Sequence, residues 1–183
     1  MNIKVLLRKL LAHILPNDKY INLLRKDGIK IGDGCVIWKN VVFGSEPYLI
    51  TIGDHCRITD GVKFVTHDGG LWTIRNVEKY NPDHRNYDIL KPIVVGNNVH
   101  IGWNTIIMPG VNIGNNVVIG CGAIVTKDIP DNSVAVGVPA KVIESLDDYF
   151  QKNNSSYIDT TGMSYDEKRK AVTESLFSKE KVL

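Results

Sequence analysis

The sequence predicts a parallel β-helix built from six-residue repeats, and three observations carry that reading. An apolar residue recurs at every sixth position in four runs: Ile31, Ile37, Phe43; Ile52, Ile58, Phe64; Val95, Ile101, Ile107; and Ile113, Ile119, Val125. Glycine keeps the same frame. Of 16 glycines, seven stand one place after these residues (Gly32, Gly44, Gly53, Gly96, Gly102, Gly114, Gly120) and four stand three places after (Gly34, Gly61, Gly110, Gly122). The fifth place of each hexad is mostly small or aliphatic: Cys35, Val41, Cys56, Val62, Val99, Thr105, Val111, Val117, Ala123. A period of six fits neither the 3.6 of a helix nor the 2 of an ordinary strand. It fits short strands joined by tight corners, with two residues per hexad pointing inward. Such corners need φ > 0, which Gly and Asn adopt at least cost. Three hexads then make one coil, and coils stack at about 4.8 Å.

Before the first hexad, residues 1–28 are expected to be helical. The run from Val5 to Leu15 has a helical apolar stripe with Lys4, Arg8 and Lys9 nearby. It lacks a small-residue cleavage site, so a signal peptide is not expected. A helix packed on the body is the first expectation, and peripheral binding to an anionic membrane surface the second.

The β-helix is expected over 29–142, and its frame breaks twice. Phe43 to Ile52 carries three extra residues, a bulge near Ser45-Glu46-Pro47-Tyr48. Phe64 to Val95 carries 25 extra residues, a loop of about 69–92 holding Trp72, Arg75, Tyr80, His84, Arg85 and Tyr87. A long loop in a compact array is usually functional or disordered, and the aromatic and Arg content favours function. Lys127 to Val142 reads as a partial coil closing the stack. Residues 143–183 read as a C-terminal extension with helices over 143–152 and 164–181, the second opened by a capping box at Ser164-Tyr165-Asp166-Glu167.

Composition sets the outer limits. The chain has 183 residues, 43% hydrophobic and 23% charged, with net charge +2. That excludes a disordered chain and a simple electrostatic nucleic-acid binder. No stretch reaches the 18 to 20 apolar residues of a membrane span. Three cysteines, Cys35, Cys56 and Cys121, with no CxxC, speak against a disulfide framework or structural zinc and for a reducing, cytoplasmic compartment. Cys35 and Cys56 hold one position in successive coils, so both should point into the core.

The corner column points to chemistry. Eight of its 12 positions are Gly or Asn, and the exceptions are Glu46, His55, His67 and Asp128. Function is expected where a local rule fails. The long loop begins just after His67, and Glu46 lies one coil below it. An imidazole beside a carboxylate suits a general base. His55 has no loop beside it and reads as an ordinary corner. His100 should point outward.

Several segments carry a family likeness. They are Thr66-His67-Asp68 before the loop, Pro92-Ile93-Val94-Val95-Gly96-Asn97-Asn98-Val99-His100-Ile101-Gly102, Pro109-Gly110-Val111-Asn112-Ile113-Gly114, Val125-Thr126-Lys127-Asp128-Ile129-Pro130 and Gly137-Val138-Pro139-Ala140-Lys141-Val142. From Ile50 to Val142, about half the chain, the sequence resembles the hexapeptide-repeat acyltransferases. The likeness is to the galactoside, maltose and xenobiotic O-acetyltransferase group, which takes in capsule and O-antigen O-acetyltransferases. The resemblance implies a left-handed coil, a homotrimer, and acetyl-CoA in a groove between subunits with no metal. It implies that His67 is the catalytic base and that backbone N–H groups around Gly102 and Trp103 face the thioester oxygen. By the same resemblance Cys121, Gly122, Thr126 and Lys127 line the pantetheine and nucleotide arm, and Lys141 lies near the CoA phosphates. His100 and Trp103 replace a Trp and a small polar residue common in the galactoside branch.

The expected acceptor is a sugar hydroxyl, in surface polysaccharide biosynthesis. Glu46, Asp68, Trp72, Arg75 and His84 are the candidates to bind it, since aromatic faces stack on sugar rings and Arg holds carboxylate or phosphate. An enzyme acetylating a streptogramin-type antibiotic is the alternative, and a non-enzymatic scaffold a remote one. A γ-type carbonic anhydrase would need three converging histidines at a spacing this chain does not show.

Overall fold

The computed structural model describes residues 14–177. The run from Val5 to Leu15 therefore lies almost wholly outside the described residues. The chain forms two compact units, Met1–Asp147 and Asp148–Leu183.

The first unit is a stack of four coils whose short strands fall into three sheets. The first coil gives β1 (Lys30–Ile31) and β2 (Val36–Ile37), and the second β3 (Ile50–Ile52), β4 (Arg57–Ile58) and β5 (Lys63–Phe64). The third gives β6 (Ile93–Val95), β7 (Val99–Ile101) and β8 (Ile106–Ile107). The fourth gives β9 (Asn112–Ile113), β10 (Val117–Ile119) and β11 (Ile124–Val125). Sheet A runs β1-β3-β6-β9, sheet B contains β2-β4-β7-β10, and sheet C contains β5-β8-β11. A bridge from Val42 to Lys63 brings the first coil into sheet C.

The register is the hexad frame made physical. Ile31 lies over Ile52, Ile52 over Val95 and Val95 over Ile113 in sheet A. Ile37, Ile58, Ile101 and Ile119 form the same column in sheet B. Phe64, Ile107 and Val125 form it in sheet C, with the Phe43 ring stacked on Phe64 at 5.3 Å. All twelve first-position residues and all nine fifth-position residues named above are buried. Cys35 and Cys56 are free thiols in this core. Each Sγ donates to a carbonyl of the next coil, Gly53 and Gly96, at 3.1 Å. Burial holds both thiols above the ordinary cysteine range, Cys56 at about 11, so they stay protonated and inert.

Both ends of the stack are covered. Helix α1 (Asn17–Lys26) buries Tyr20, Ile21 and Leu24. Asn17 fastens it to the first coil, donating to the Cys35 carbonyl at 2.8 Å and accepting from the Ile37 N–H at 3.1 Å. At the other end β12 (Ser133–Val136) continues sheet B in parallel, and β13 (Lys141–Ser145) folds back on it antiparallel. Residues 143–145, expected to open a helix, are strand, because the free edge of β12 offers ladder partners that outweigh local preference. The helix, α3 (Leu146–Asn153), starts later; α2 (Leu71–Arg75) lies in the long loop.

In the second unit Tyr157 donates to the Phe150 carbonyl at 3.2 Å and the two rings are in contact. Helix α4 (Tyr165–Phe177) opens with the expected capping box. The Ser164 N–H donates to the Glu167 carboxylate at 2.8 Å, and the Glu167 N–H donates to Ser164 Oγ at 3.4 Å.

Candidate active site

Three edges run along the stack where sheets meet, and they are built differently. The A–B edge is a hydrogen-bond ladder. The backbone N–H groups of Asp33, Asp54, Asn97 and Asn115 donate to side-chain oxygens one coil on, those of Asp54, Asn97, Asn115 and Asp131, at 2.7–2.9 Å. His55 is a corner residue of this edge with φ 55°, beside Asn98 and Asn116 in the same conformation. Asp128, another exception in the corner column, accepts from the Asn112 N–H at 2.8 Å and serves the fold in the same way.

The C–A edge departs from this pattern at the second coil. His67 follows β5, and there the chain leaves as the long loop and returns antiparallel. The Asp68 N–H donates to the Ile89 carbonyl and the Lys91 N–H to that of Thr66. The three extra residues of the first coil form a 3₁₀ turn at Pro47–Leu49, which leaves Glu46 facing this corner. Glu46 Oε2 lies 3.1 Å from His67 Nδ1 and accepts the Thr66 hydroxyl at 2.6 Å. Ser45 Oγ is 3.5 Å from the same ring nitrogen. The Glu46 side chain is 17% exposed and that of His67 is 44% exposed.

These contacts fix the protonation states. The Thr66 hydroxyl first, then Ser45 and His67, hold the Glu46 carboxyl at about 2, well below the ordinary carboxylate range. The interaction is therefore complete above that range and is lost only as pH falls toward about 2. A carboxylate can only accept, so Nδ1 is the ring nitrogen that donates to it, and in the neutral ring the lone pair is then on Nε2. His67 lines a cleft of about 400 Å³ together with Asp68, Ile89, Lys91, Met108 and Thr126.

The remaining candidates fall into three groups. Thr126 shares the cleft, and Lys127 follows it on the same edge. Gly102, Trp103, Cys121 and Gly122 lie on the B–C edge, in the turns between β7 and β8 and between β10 and β11. Lys141 pairs with Val136 at the matching end of sheet B. Within one chain, then, the B–C edge positions and His67 stand on different edges. Of the two backbone amides expected there, the Gly102 N–H donates to the Ile119 carbonyl at 2.8 Å. A Cβ there would stand 2.6 Å from the Cys121 nitrogen, so this glycine serves close coil stacking.

In the loop, Asp68 lines the cleft and its Oδ1 accepts the Gly70 N–H at 2.8 Å. Trp72 is exposed. Arg75 is spent inside the loop, donating to the Tyr87 carbonyl and to Asp88. His84 projects into solvent, 3.8 Å from Glu78. The structure thus brings Glu46 and Asp68 to His67 and leaves Arg75 and His84 elsewhere. His100 lies beside Arg57 across the sheet, half-buried, and burial and that guanidinium lower its pKa.

Three features escaped the sequence reading. Thr66 is fully buried next to His67. Buried Asn81 ties the loop by bonding the Arg75 and Arg85 carbonyls and the Arg85 N–H. Trp38 and Trp103 form an edge-to-face pair with centroids 5.5 Å apart, both partly exposed. Thr66 stands at a third place of its hexad, which elsewhere faces outward, so its burial comes from the loop that returns over it, and the Trp pair depends on packing between separate coils.

Known proteins share this architecture. Residues 92–127 match the family model described as the hexapeptide repeat of succinyl-transferase. Galactoside O-acetyltransferase of Escherichia coli K12 is 41% identical over 105 residues, 56% of this chain and 47% of that enzyme. Protein CapG of Staphylococcus aureus is 48% identical over 170 residues, 91% of this chain and 92% of that one. The chain belongs to the hexapeptide-repeat acetyltransferases. A Vibrio cholerae hexapeptide-repeat acetyltransferase solved with acetyl-CoA superposes with TM-score 0.60 at 29% identity, over 75% of this chain and 82% of that one. A galactoside acetyltransferase in complex with coenzyme A superposes with TM-score 0.57 at 30% identity, over 79% and 82%. The stack is accordingly a left-handed parallel β-helix, and the chain is an acetyltransferase. Among the described residues, no helix is long and apolar enough to cross a membrane.

Proposed function

We propose that the chain is an O-acetyltransferase acting on a sugar hydroxyl, with His67 as general base. One observation carries the reading: the Glu46 carboxylate lies 3.1 Å from His67 Nδ1, where it accepts the Nδ1–H of the neutral ring and leaves Nε2 as the basic nitrogen in a ring that lines the cleft. His67 Nε2 removes the proton of an acceptor hydroxyl, and the oxygen attacks the acetyl carbonyl. Glu46 stabilises the imidazolium that forms. The C–S bond breaks and the imidazolium returns its proton to the sulfur, so no covalent enzyme intermediate is required. The Trp103 amide is the donor we assign to the developing oxyanion. Lys127 and Lys141 are exposed cations suited to the phosphates of CoA.

The same proposal makes the working form a homotrimer. His67 and the B–C edge positions do not meet within one chain, so a site using both needs the edge of a second copy. The acceptor class we favour is a polysaccharide repeat unit or its lipid-linked precursor, consistent with the Asp68, Lys91 and apolar lining of the cleft. The test is an acetyl-CoA consumption screen against sugars, read by mass. A gain of one acetyl group on a sugar hydroxyl, abolished in His67→Ala, is the expected result. Acetylation of amines only, or full turnover in His67→Ala, would overturn it.

A further inference from the structure

The hydroxyl of Thr66 belongs to a fully buried residue at this corner. Thr66 is 0% exposed, its carbonyl is held by the returning loop through Lys91, and its Oγ donates to Glu46 Oε2 at 2.6 Å. That separation marks a charge-assisted hydrogen bond. The same Oε2 receives His67 Nδ1–H at 3.1 Å, so one carboxylate oxygen joins the two residues. The approach is built into the backbone. Gly44 has φ 67°, and a Cβ on it would stand 3.3 Å from Thr66 Oγ and 3.2 Å from the Phe64 carbonyl. Glycine therefore lets the first coil pass close over Thr66 and deliver Glu46.

We propose that Thr66 is a positioning residue for the acetyl-transfer reaction: its hydroxyl aims the Glu46 carboxylate and thereby keeps the His67 proton on Nδ1. Thr66 touches no reacting atom and acts only through Glu46. The inference rests on His67 being the base. Without the hydroxyl, Oε2 loses its shortest tether and the carboxylate can turn from the ring. The ring then loses its Nδ1–H preference, and the imidazolium loses part of its stabilising neighbour.

The test uses the full-length protein with Thr66→Val, which keeps the shape, and Thr66→Ser, which keeps the hydroxyl. Thr66→Val should lower kcat by about tenfold, the order for losing one hydrogen bond to a charged group. Its acidic limb should move to lower pH, while Thr66→Ser stays close to wild type. In the Glu46→Gln background Thr66→Val should cost almost nothing further, because both changes break one relay. Histidine ¹⁵N shifts should show Nδ1 protonated in the wild type and a tautomer mixture in Thr66→Val. An unchanged tautomer, or an equal kcat loss in both backgrounds, would overturn the positioning role even with His67 essential. Full activity of His67→Ala would instead remove the reading beneath it.

Discussion

The A–B edge and the second-coil corner of the C–A edge are made from the same hexad frame and put their polar side chains to different uses. On the A–B edge each side-chain oxygen of the ladder accepts a backbone N–H of the neighbouring coil, and Asn side-chain amides along the same edge add bonds from coil to coil. On the C–A edge Glu46 Oε2 is taken by two side chains, the Thr66 hydroxyl and the His67 ring. A side chain bonded to backbone holds the stack together. A side chain bonded to another side chain that lines a cleft is free to adjust a proton. The comparison also explains why His55 and His67, both histidines in the corner column, differ. His55 adopts the left-handed corner conformation, whereas His67 stands where the chain leaves the stack.

If that division is right, substitutions on the two edges should separate activity from stability. The largest effect is expected at His67. His67→Ala should lower kcat by about 10² to 10⁴, the usual share of a general base, with Tm unchanged by calorimetry. Near-normal turnover would erase the distinction between the edges. Asn115→Ala should do the reverse, removing the acceptor of the Asn97 N–H and its own bond to Asp131. A loss of about 1 kcal/mol, or a few degrees in Tm, is expected with kcat intact. A drop in kcat per folded molecule would show that the ladder reaches the site. The smallest effect belongs to Arg75→Ala. It frees the Tyr87 carbonyl and Asp88, so amide exchange near 85–90 should quicken while global Tm moves by about a degree or less. A large KM increase for the acceptor would return Arg75 to the site.

The coil was legible because its signal is local and repeated. Ile101 or Val125 must be apolar whichever residues face it, so the six-residue period alone exposed the core. The His67–Glu46 pairing was legible for a related reason: both break the corner rule, and stacking sets their separation. What sequence could not show depended on partners brought in from afar. The strand Lys141–Ser145 exists because β12 leaves an edge to pair with. Arg75, an apparent substrate ligand by residue type, is claimed by Tyr87 and Asp88 once the loop closes. Of the amides around Gly102 and Trp103, that of Gly102 is bonded to the next coil, which only the fold could show. Chemistry of a residue type is visible in sequence, but whether its hydrogen bonds are already used is decided by the fold.

The most direct measurement is the pH dependence of kcat in Glu46→Gln beside the wild type. Glu46 stays ionised down to about 2, so across the working range the wild-type imidazolium always has an anionic neighbour. The amide of the variant is neutral at every pH and cannot stabilise that cation. A lower kcat and an acidic limb displaced to lower pH are expected in the variant. A limb at the wild-type position with kcat unchanged would contradict that expectation.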